Sequence, residues 1–186
     1  SLHVIDNLFL SRIRGIAFDR GCVHYLETRI VGNAIGLGAT GIVLAGLALD
    51  EATVEIRGNL VRCAGPCVVT GVDGTIIEAN DLGGTDAASV DGVVLIPGAE
   101  SRGPADCRIA GNRVRRLGGA GIRIAAEVGS VVIAGNLVSE IGGSAILMEE
   151  DASAEAMLIE GNRLRAISLA DSPRPALGVS LVGADR

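Results

Sequence analysis

All seven asparagines of this chain occur at one position of a repeated phrase: an aliphatic residue, any residue, Gly, Asn, any residue and a second hydrophobic residue, with Asp6 and Ala79 in place of the Gly in two looser copies. Residues 109–114, Ile-Ala-Gly-Asn-Arg-Val, are the clearest copy. Successive asparagines lie 26, 26, 21, 32, 24 and 26 residues apart. Such a period is typical of stacked-repeat proteins, in which each repeat packs on its neighbours. We therefore expect residues 1–186 to form one solenoid domain, and we interpret it as a segment excised from a longer chain.

Aliphatic and variable residues alternate on both sides of each asparagine. The aliphatic position three residues before it holds Val4, Ile30, Ile56, Ile77, Ile109, Ile133 and Ile159. The aliphatic position two residues after it holds Phe9, Ile35, Val61, Leu82, Val114, Val138 and Leu164. Successive side chains of a strand point to opposite faces, so this alternation predicts two short strands, each with one buried face. Gly and Asn tolerate positive φ, which makes the Gly-Asn pair a sharp bend between them.

The asparagines themselves have a structural interpretation. If every repeat bends alike, neighbouring Asn side chains stack at the strand spacing of about 4.8 Å. An amide offers both a donor and an acceptor, so each side chain can bond to the next one. We therefore predict an internal ladder, and not a catalytic role, for Asn7, Asn33, Asn59, Asn80, Asn112, Asn136 and Asn162.

A third aliphatic segment follows each asparagine. Its copies begin at residues 15, 41, 67, 92, 121, 145 and 178. Three short strands in each repeat, without any helical periodicity, predict an all-β chain folded as a parallel β-helix of three sheets. About seven coils at the strand spacing give a rod roughly 34 Å long.

These phrases carry a family resemblance over essentially the whole chain. The pattern [Ile/Val]-x-Gly-Asn-x-[aliphatic], followed by Gly-[Ile/Val]-x-[aliphatic], resembles the repeat of the pectin lyase-like superfamily. The resemblance implies a right-handed β-helix and favours an extracellular or cell-surface location. It does not select a function, because that superfamily includes polysaccharide lyases, hydrolases and epimerases, phage tailspikes, adhesins and non-catalytic scaffolds.

Composition narrows the partners. The chain has no Lys, and its formal net charge of −6 argues against nucleic acid as the main partner. Residues 30–49 carry no charge, but Asn33 and several glycines keep them in register with the other repeats. We therefore predict that this stretch is an apolar coil and not a membrane span.

No catalytic set can be assembled from the repeat. A lyase would need an acidic cluster with a Lys or Arg base, and a hydrolase would need converging Asp residues. The outward positions before each asparagine stack no run of carboxylates, and His3 and His24 stand alone. We therefore favour a non-catalytic structural or binding module of a larger extracellular, surface or phage-like assembly, with polysaccharide as a candidate ligand. The alternative is a fragment of a polysaccharide lyase, epimerase or hydrolase.

Two sets of charged residues are candidate sites. An outward stripe after the asparagines is a candidate contact for anionic polysaccharide or acidic protein residues, and it consists of Arg62, Arg113, Arg115, Arg163 and Arg165. The longest repeat contains Asp81, Asp86 and Asp91, which form a candidate calcium site or binding loop. We predict no other cofactor.

The first two coils have an apolar outward face. Their outward positions after the asparagine are Leu8, Leu10, Ala34 and Gly36. Soluble monomers seldom expose a contiguous apolar surface, so we expect a second subunit or a further part of the parent chain to cover it.

The cysteines, Cys22, Cys63, Cys67 and Cys107, show no CxxC motif or regular spacing. Cys107 falls on an inward position, which predicts a buried thiol.

Overall fold

The chain folds as a parallel β-solenoid. The structure, a computed structural model, describes residues 1–11, 13–18, 27–45, 53–85, 90–98, 103–167 and 178–181. Every regular element in these residues is a β-strand, and the 21 strands form three parallel sheets of seven strands each. Each coil contributes one strand to each sheet, which confirms the predicted three-sheet β-helix.

The strand before the asparagine belongs to sheet 1, the strand after it to sheet 2, and the third strand to sheet 3. Sheet 1 contains β1 (Leu2–Ile5), β4 (Glu27–Val31), β7 (Thr53–Arg57), β10 (Thr75–Glu78), β13 (Cys107–Ala110), β16 (Glu127–Ala134) and β19 (Ser153–Glu160). Sheet 2 contains β2 (Leu8–Leu10), β5 (Ala34–Gly38), β8 (Leu60–Cys63), β11 (Asp81–Gly84), β14 (Arg113–Leu117), β17 (Leu137–Ile141) and β20 (Arg163–Ile167). Sheet 3 contains β3 (Arg14–Phe18), β6 (Thr40–Leu44), β9 (Val68–Thr70), β12 (Val93–Leu95), β15 (Ile122–Ile124), β18 (Ile146–Met148) and β21 (Val179–Leu181).

The core is built from aliphatic rows that run along the solenoid axis. In sheet 1 the register stacks each inward isoleucine on the next, and the fully buried part of this row is Ile30, Ile56, Ile77, Ile109 and Ile133. Burial of each such side chain stabilises the fold by roughly 1.5–3 kcal/mol. Cys107 occupies a neighbouring inward row and is buried, as its position in the repeat predicts.

The bend between sheets 1 and 2 places a left-handed residue at the Gly position and not at Asn. Gly32, Gly58, Gly111, Gly135 and Gly161 have φ values from 61° to 69°. The two repeats that lack this glycine put Asp6 and Ala79 there, at 54° and 55°. Left-handed backbone costs L-residues roughly 1–2 kcal/mol, which accounts for glycine in five of the seven copies.

The asparagines form a continuous hydrogen-bonded ladder inside this bend. The backbone N–H and the side-chain Nδ2 of each asparagine from Asn7 to Asn136 donate to the Oδ1 of the asparagine in the next coil, over 2.9 to 3.2 Å. From Asn33 onward, Nδ2 also donates to a carbonyl oxygen of the preceding coil, over 2.8 or 2.9 Å. The amides therefore satisfy one another in a space that excludes water.

Within the described part of the chain, no helix is long and apolar enough to cross a membrane. The described part of the uncharged stretch, residues 30–45, lies in the sheets as β4 to β6, while residues 46–49 fall outside the described residues.

Candidate functional site

The outward face of sheet 2 carries most of the residues that the sequence nominates for binding. The first row after the asparagines is Leu8, Ala34, Leu60, Asp81, Arg113, Leu137 and Arg163. The second row is Leu10, Gly36, Arg62, Gly83, Arg115, Ser139 and Arg165. Both rows change from apolar residues at the first coil to arginines at the last, so this one face has two chemically different ends.

Two of the five arginines converge on one carboxylate in the middle of the sheet. Arg62 Nη2 lies 2.9 Å from Asp81 Oδ1 without the alignment of a hydrogen bond, and Arg115 Nη2 lies 3.1 Å from Asp81 Oδ2. Nη1 of Arg62 also donates to the Asp81 carbonyl oxygen over 2.9 Å. All three side chains are about a quarter to a third exposed. Asp81 therefore neutralises much of the positive charge of the central arginines.

A glycine separates these two arginines in their row of the sheet. Gly83 lies between Arg62 and Arg115 in the register. A Cβ at this position would lie 3.0 Å from the Arg115 carbonyl oxygen and 3.4 Å from Arg62 Nη1. The tight contact is with the backbone of β14, so a larger residue here would press on that carbonyl oxygen, while Arg62 Nη1 lies at the edge of ordinary contact distance.

The other three arginines are free in the described part of the molecule. Arg113, Arg163 and Arg165 are exposed, and no described residue forms a hydrogen bond or an ion pair with their side chains. Arg113 and Arg163 occupy one row with Leu137 between them, which separates their Cα atoms by about 9 to 10 Å, two strand spacings. We call these three residues the arginine patch.

The two described residues of the predicted calcium site, Asp81 and Asp91, lie on different sheets. Asp81 is in sheet 2, whereas Asp91 precedes β12 of sheet 3 and is buried. The Asp91 carboxylate accepts hydrogen bonds from the Ala120 N–H over 2.7 Å and from Arg123 over 3.1 Å. Asp86 falls outside the described residues. In the described ranges no group of three or more His, Cys, Asp or Glu side chains is placed to hold a metal ion, and calcium binding stays a prediction.

Arg123 links Asp91 to a second acidic side chain. Its Nε donates to Glu149 Oε1 over 2.7 Å, so one guanidinium serves two carboxylates from different coils. Burial lowers the pKa of Arg123, but the hydrogen bonds and charges of the two carboxylates together outweigh it and raise the pKa. This network fixes the outer surface of sheet 3.

The apolar end of sheet 2 is strongly exposed. Leu8 and Leu10 are 68% and 66% exposed, because their neighbours on β5 are Ala34 and Gly36, which are too small to cover them. Leu60 continues the first row and is also exposed. We call Leu8, Leu10 and Leu60 the leucine patch.

The structure brings two cysteines together that sequence reasoning left unconnected. The sulfurs of Cys63 and Cys67 are 3.6 Å apart at the turn from sheet 2 to sheet 3, and both residues are fully buried. The only sequence signal was their spacing across a turn, since Cys63 ends β8 and Cys67 precedes β9. Cys107 lies apart from this pair, and burial raises the pKa of its thiol to about 12.

Of the two histidines, the structure describes only His3. His3 is exposed, with its Nε2 4.0 Å from a carboxylate oxygen of Glu27. His24 falls outside the described residues.

No protein-family model matches this sequence, and no curated protein or solved structure matches it significantly. The assignment to the parallel β-solenoids therefore rests on the strand order and register of the three sheets.

Proposed function

We propose that this chain is a non-catalytic structural and binding module, a rigid β-solenoid rod within a larger extracellular, surface or phage-like assembly. The observation that carries the proposal is the division of the outward face of sheet 2 into the leucine patch at one end and the arginine patch at the other. We also propose, from the repeat phrase, that the rod is a right-handed β-helix of the pectin lyase-like superfamily.

The arginine patch suits an anionic polymer, such as an acidic polysaccharide, laid along the solenoid axis. Guanidinium groups bind carboxylates and sulfates through paired hydrogen bonds, and these three have no partner among the described residues. The strands fix the spacing of their Cα atoms, so little order is lost on binding. Because the whole chain carries a net charge of −6, the attraction is local and weakens as salt rises.

The leucine patch suits a protein partner. Exposed leucines on a flat, rigid strand surface are typical of an interface, and either a second subunit or another part of the parent chain supplies the covering surface. The rod then presents the arginine patch away from the site where it is held.

Binding to a panel of acidic and neutral polysaccharides, measured by biolayer interferometry with calcium present and absent, tests the first half of the proposal. The double substitution Arg113→Ala and Arg163→Ala is expected to weaken binding to acidic glycans by roughly tenfold or more. Arg108→Ala is the matched control, because Arg108 is an exposed arginine of the same coil that lies on sheet 1. Equal binding by the unsubstituted chain, the double variant and the Arg108→Ala variant would contradict the proposal that the arginine patch binds acidic glycans.

The same samples distinguish binding from turnover. Unsaturated sugar ends, followed by ultraviolet absorbance, would instead favour the alternative of a lyase fragment and would direct attention to Asp81 and its two arginines. An absence of product together with saturable binding is the expected outcome.

The leucine patch has a separate test. Leu8→Ser with Leu10→Ser is expected to lower the binding of a hydrophobic dye and to abolish any self-association seen by light scattering. A monodisperse monomer that binds no dye before substitution would contradict the interface.

A further inference from the structure

Cys63 and Cys67 form a pair of adjacent thiols that the proposed function does not use. Their sulfurs lie in van der Waals contact at 3.6 Å, and no disulfide joins them. Three residues separate them in the sequence, and both face the core of the third coil. Either thiol can therefore reach the other after only a small movement.

The backbone on both sides of the pair is held by neighbouring coils. The Cys63 carbonyl oxygen accepts the N–H of Thr85 over 3.0 Å, and the Cys67 N–H donates to the Asp91 carbonyl oxygen over 3.1 Å. The Cys67 carbonyl oxygen accepts the N–H of Ile42 over 2.9 Å. Bonds to the coils before and after thus fix where each cysteine stands, so the proximity of the sulfurs is a property of the fold and not of a loose loop.

We propose that Cys63 and Cys67 are an oxidative modification site, which takes one intramolecular disulfide by exchange with a low-molecular-weight disulfide such as oxidised glutathione. In the first step one cysteine thiolate attacks the reagent, forms a mixed disulfide and releases one thiol. In the second step the other cysteine attacks the mixed disulfide, closes the Cys63–Cys67 bond and releases the second thiol. The protein loses two protons and two electrons, and the reagent gains both and leaves as two thiols.

The two cysteines are not equivalent. The hydrogen bond with Cys67 lowers the pKa of the Cys63 thiol, whereas the same contact and burial raise the pKa of Cys67 well above its ordinary value. The packed fold thus distinguishes the two thiols, while the exchange, which needs an open coil, can begin at either one.

Burial decides when the exchange takes place. Both residues are 0% exposed, so a reagent reaches them only while the third coil is open, during folding or in a local opening of the turn. Once closed, the disulfide is shielded in the same way. Cys107 is an internal control, because it is buried to a similar degree with no other described sulfur in contact.

The test compares the folded and the unfolded chain in glutathione buffers of graded ratio. A Cys22→Ser background restricts the reaction to the three cysteines that the structure describes. Each sample is equilibrated from the reduced and from the oxidised side, then alkylated, and the disulfide is counted by mass and mapped by digestion. The folded chain is expected to hold the Cys63–Cys67 disulfide with an equilibrium constant at least roughly tenfold above that of the unfolded chain.

A thermodynamic cycle provides a second measurement of the ratio between the equilibrium constants of the folded and the unfolded chain. If the fold favours the disulfide, the oxidised protein must resist guanidinium unfolding more than the reduced protein by the same factor. An equilibrium constant in the folded chain equal to or below that of the unfolded chain would overturn the proposal. Bonding of either cysteine to Cys107 would overturn it as well. In Cys67→Ala, Cys63 has no second thiol at the turn and can take only the mixed disulfide. This variant therefore measures the first exchange step without the second.

Discussion

The bend between sheets 1 and 2 and the outward face of sheet 2 are built from adjacent residues, yet they follow different rules. In the bend, the same amide recurs in every coil and is hydrogen-bonded to the next one. On the outward face, the position immediately after the asparagine changes from leucine to alanine, aspartate and arginine along the axis.

This difference shows which positions of the repeat tolerate different side chains. An inward residue contacts the same position of the coils before and after it, so its neighbours restrict the size and polarity of the side chain that fits. An outward residue faces water on one side, and a substitution there costs little. Specific contacts with other molecules are therefore expected from the outward face, while stability comes from the inward rows.

The largest effect is expected at the ladder. Asn112→Ala leaves the buried backbone N–H of Asn80 without an acceptor, and it removes the bond from Asn80 Nδ2 and the bonds that Asn112 Nδ2 donates to Asn136 and Ile77. We expect a loss of roughly 3–5 kcal/mol in the free energy of unfolding. Asn7→Ala is the matched control, since Asn7 is exposed and its side chain accepts from no described coil; about 1 kcal/mol is expected. Chemical denaturation measures both. Equal losses would remove the distinction between buried and terminal amides.

The second effect concerns alkaline pH and an inward thiol. Because the folded pKa of Cys107 is raised to about 12, the folded state holds a proton that the unfolded state releases from about pH 9 upward. The protonated Cys107 thiol contributes its full share to the free energy of unfolding below pH 9. Between pH 9 and 12 this share falls by roughly 1.4 kcal/mol for each pH unit. Cys107→Val, which copies the neighbouring Val131, should flatten the dependence of unfolding free energy on pH in this window. Parallel curves for the two proteins would show that Cys107 does not cause the loss.

A smaller effect tests the bend itself. No atom lies within 4 Å of a Cβ placed on Gly111, so Gly111→Ala should cost only the strain of its left-handed backbone, roughly 1–2 kcal/mol. The converse substitution, Ala79→Gly, removes the same strain and is expected to stabilise the protein by up to about 1 kcal/mol. Thermal unfolding measures the two changes. If Gly111→Ala and Ala79→Gly both destabilise the protein, packing and not backbone conformation would explain the preference for glycine.

The smallest effect is expected on the outward face. The double variant Arg113→Ala and Arg163→Ala should change the free energy of unfolding by no more than about 0.5 kcal/mol per site, because neither side chain has a partner in the described structure. A larger loss in the free energy of unfolding would mean that this face supports the fold, and the contrast with the bend would weaken.

Arg62 differs from the arginine patch. Arg62 is bonded to the carbonyl oxygens of Val61 and Asp81 and paired with the Asp81 side chain, so its guanidinium belongs to the sheet surface. The sequence placed all five arginines in one stripe. The neighbours of each side chain divide them into a paired group and a free group.

The sequence by itself determined the coil. Alternation of apolar residues and a fixed position for asparagine are local consequences of strand geometry and of stacking like on like, so the three sheets, their register and the burial of Cys107 could be read from the repeat. Only the tertiary structure decided the contacts that depend on turns and on outward side chains. The meeting of Cys63 with Cys67 depends on the path of the turn between two sheets. The pairing of Asp81 with two arginines depends on side-chain conformations above Gly83. A repeat pattern specifies which residues are stacked. The contacts at turns and between outward side chains depend instead on the space that the neighbouring side chains leave.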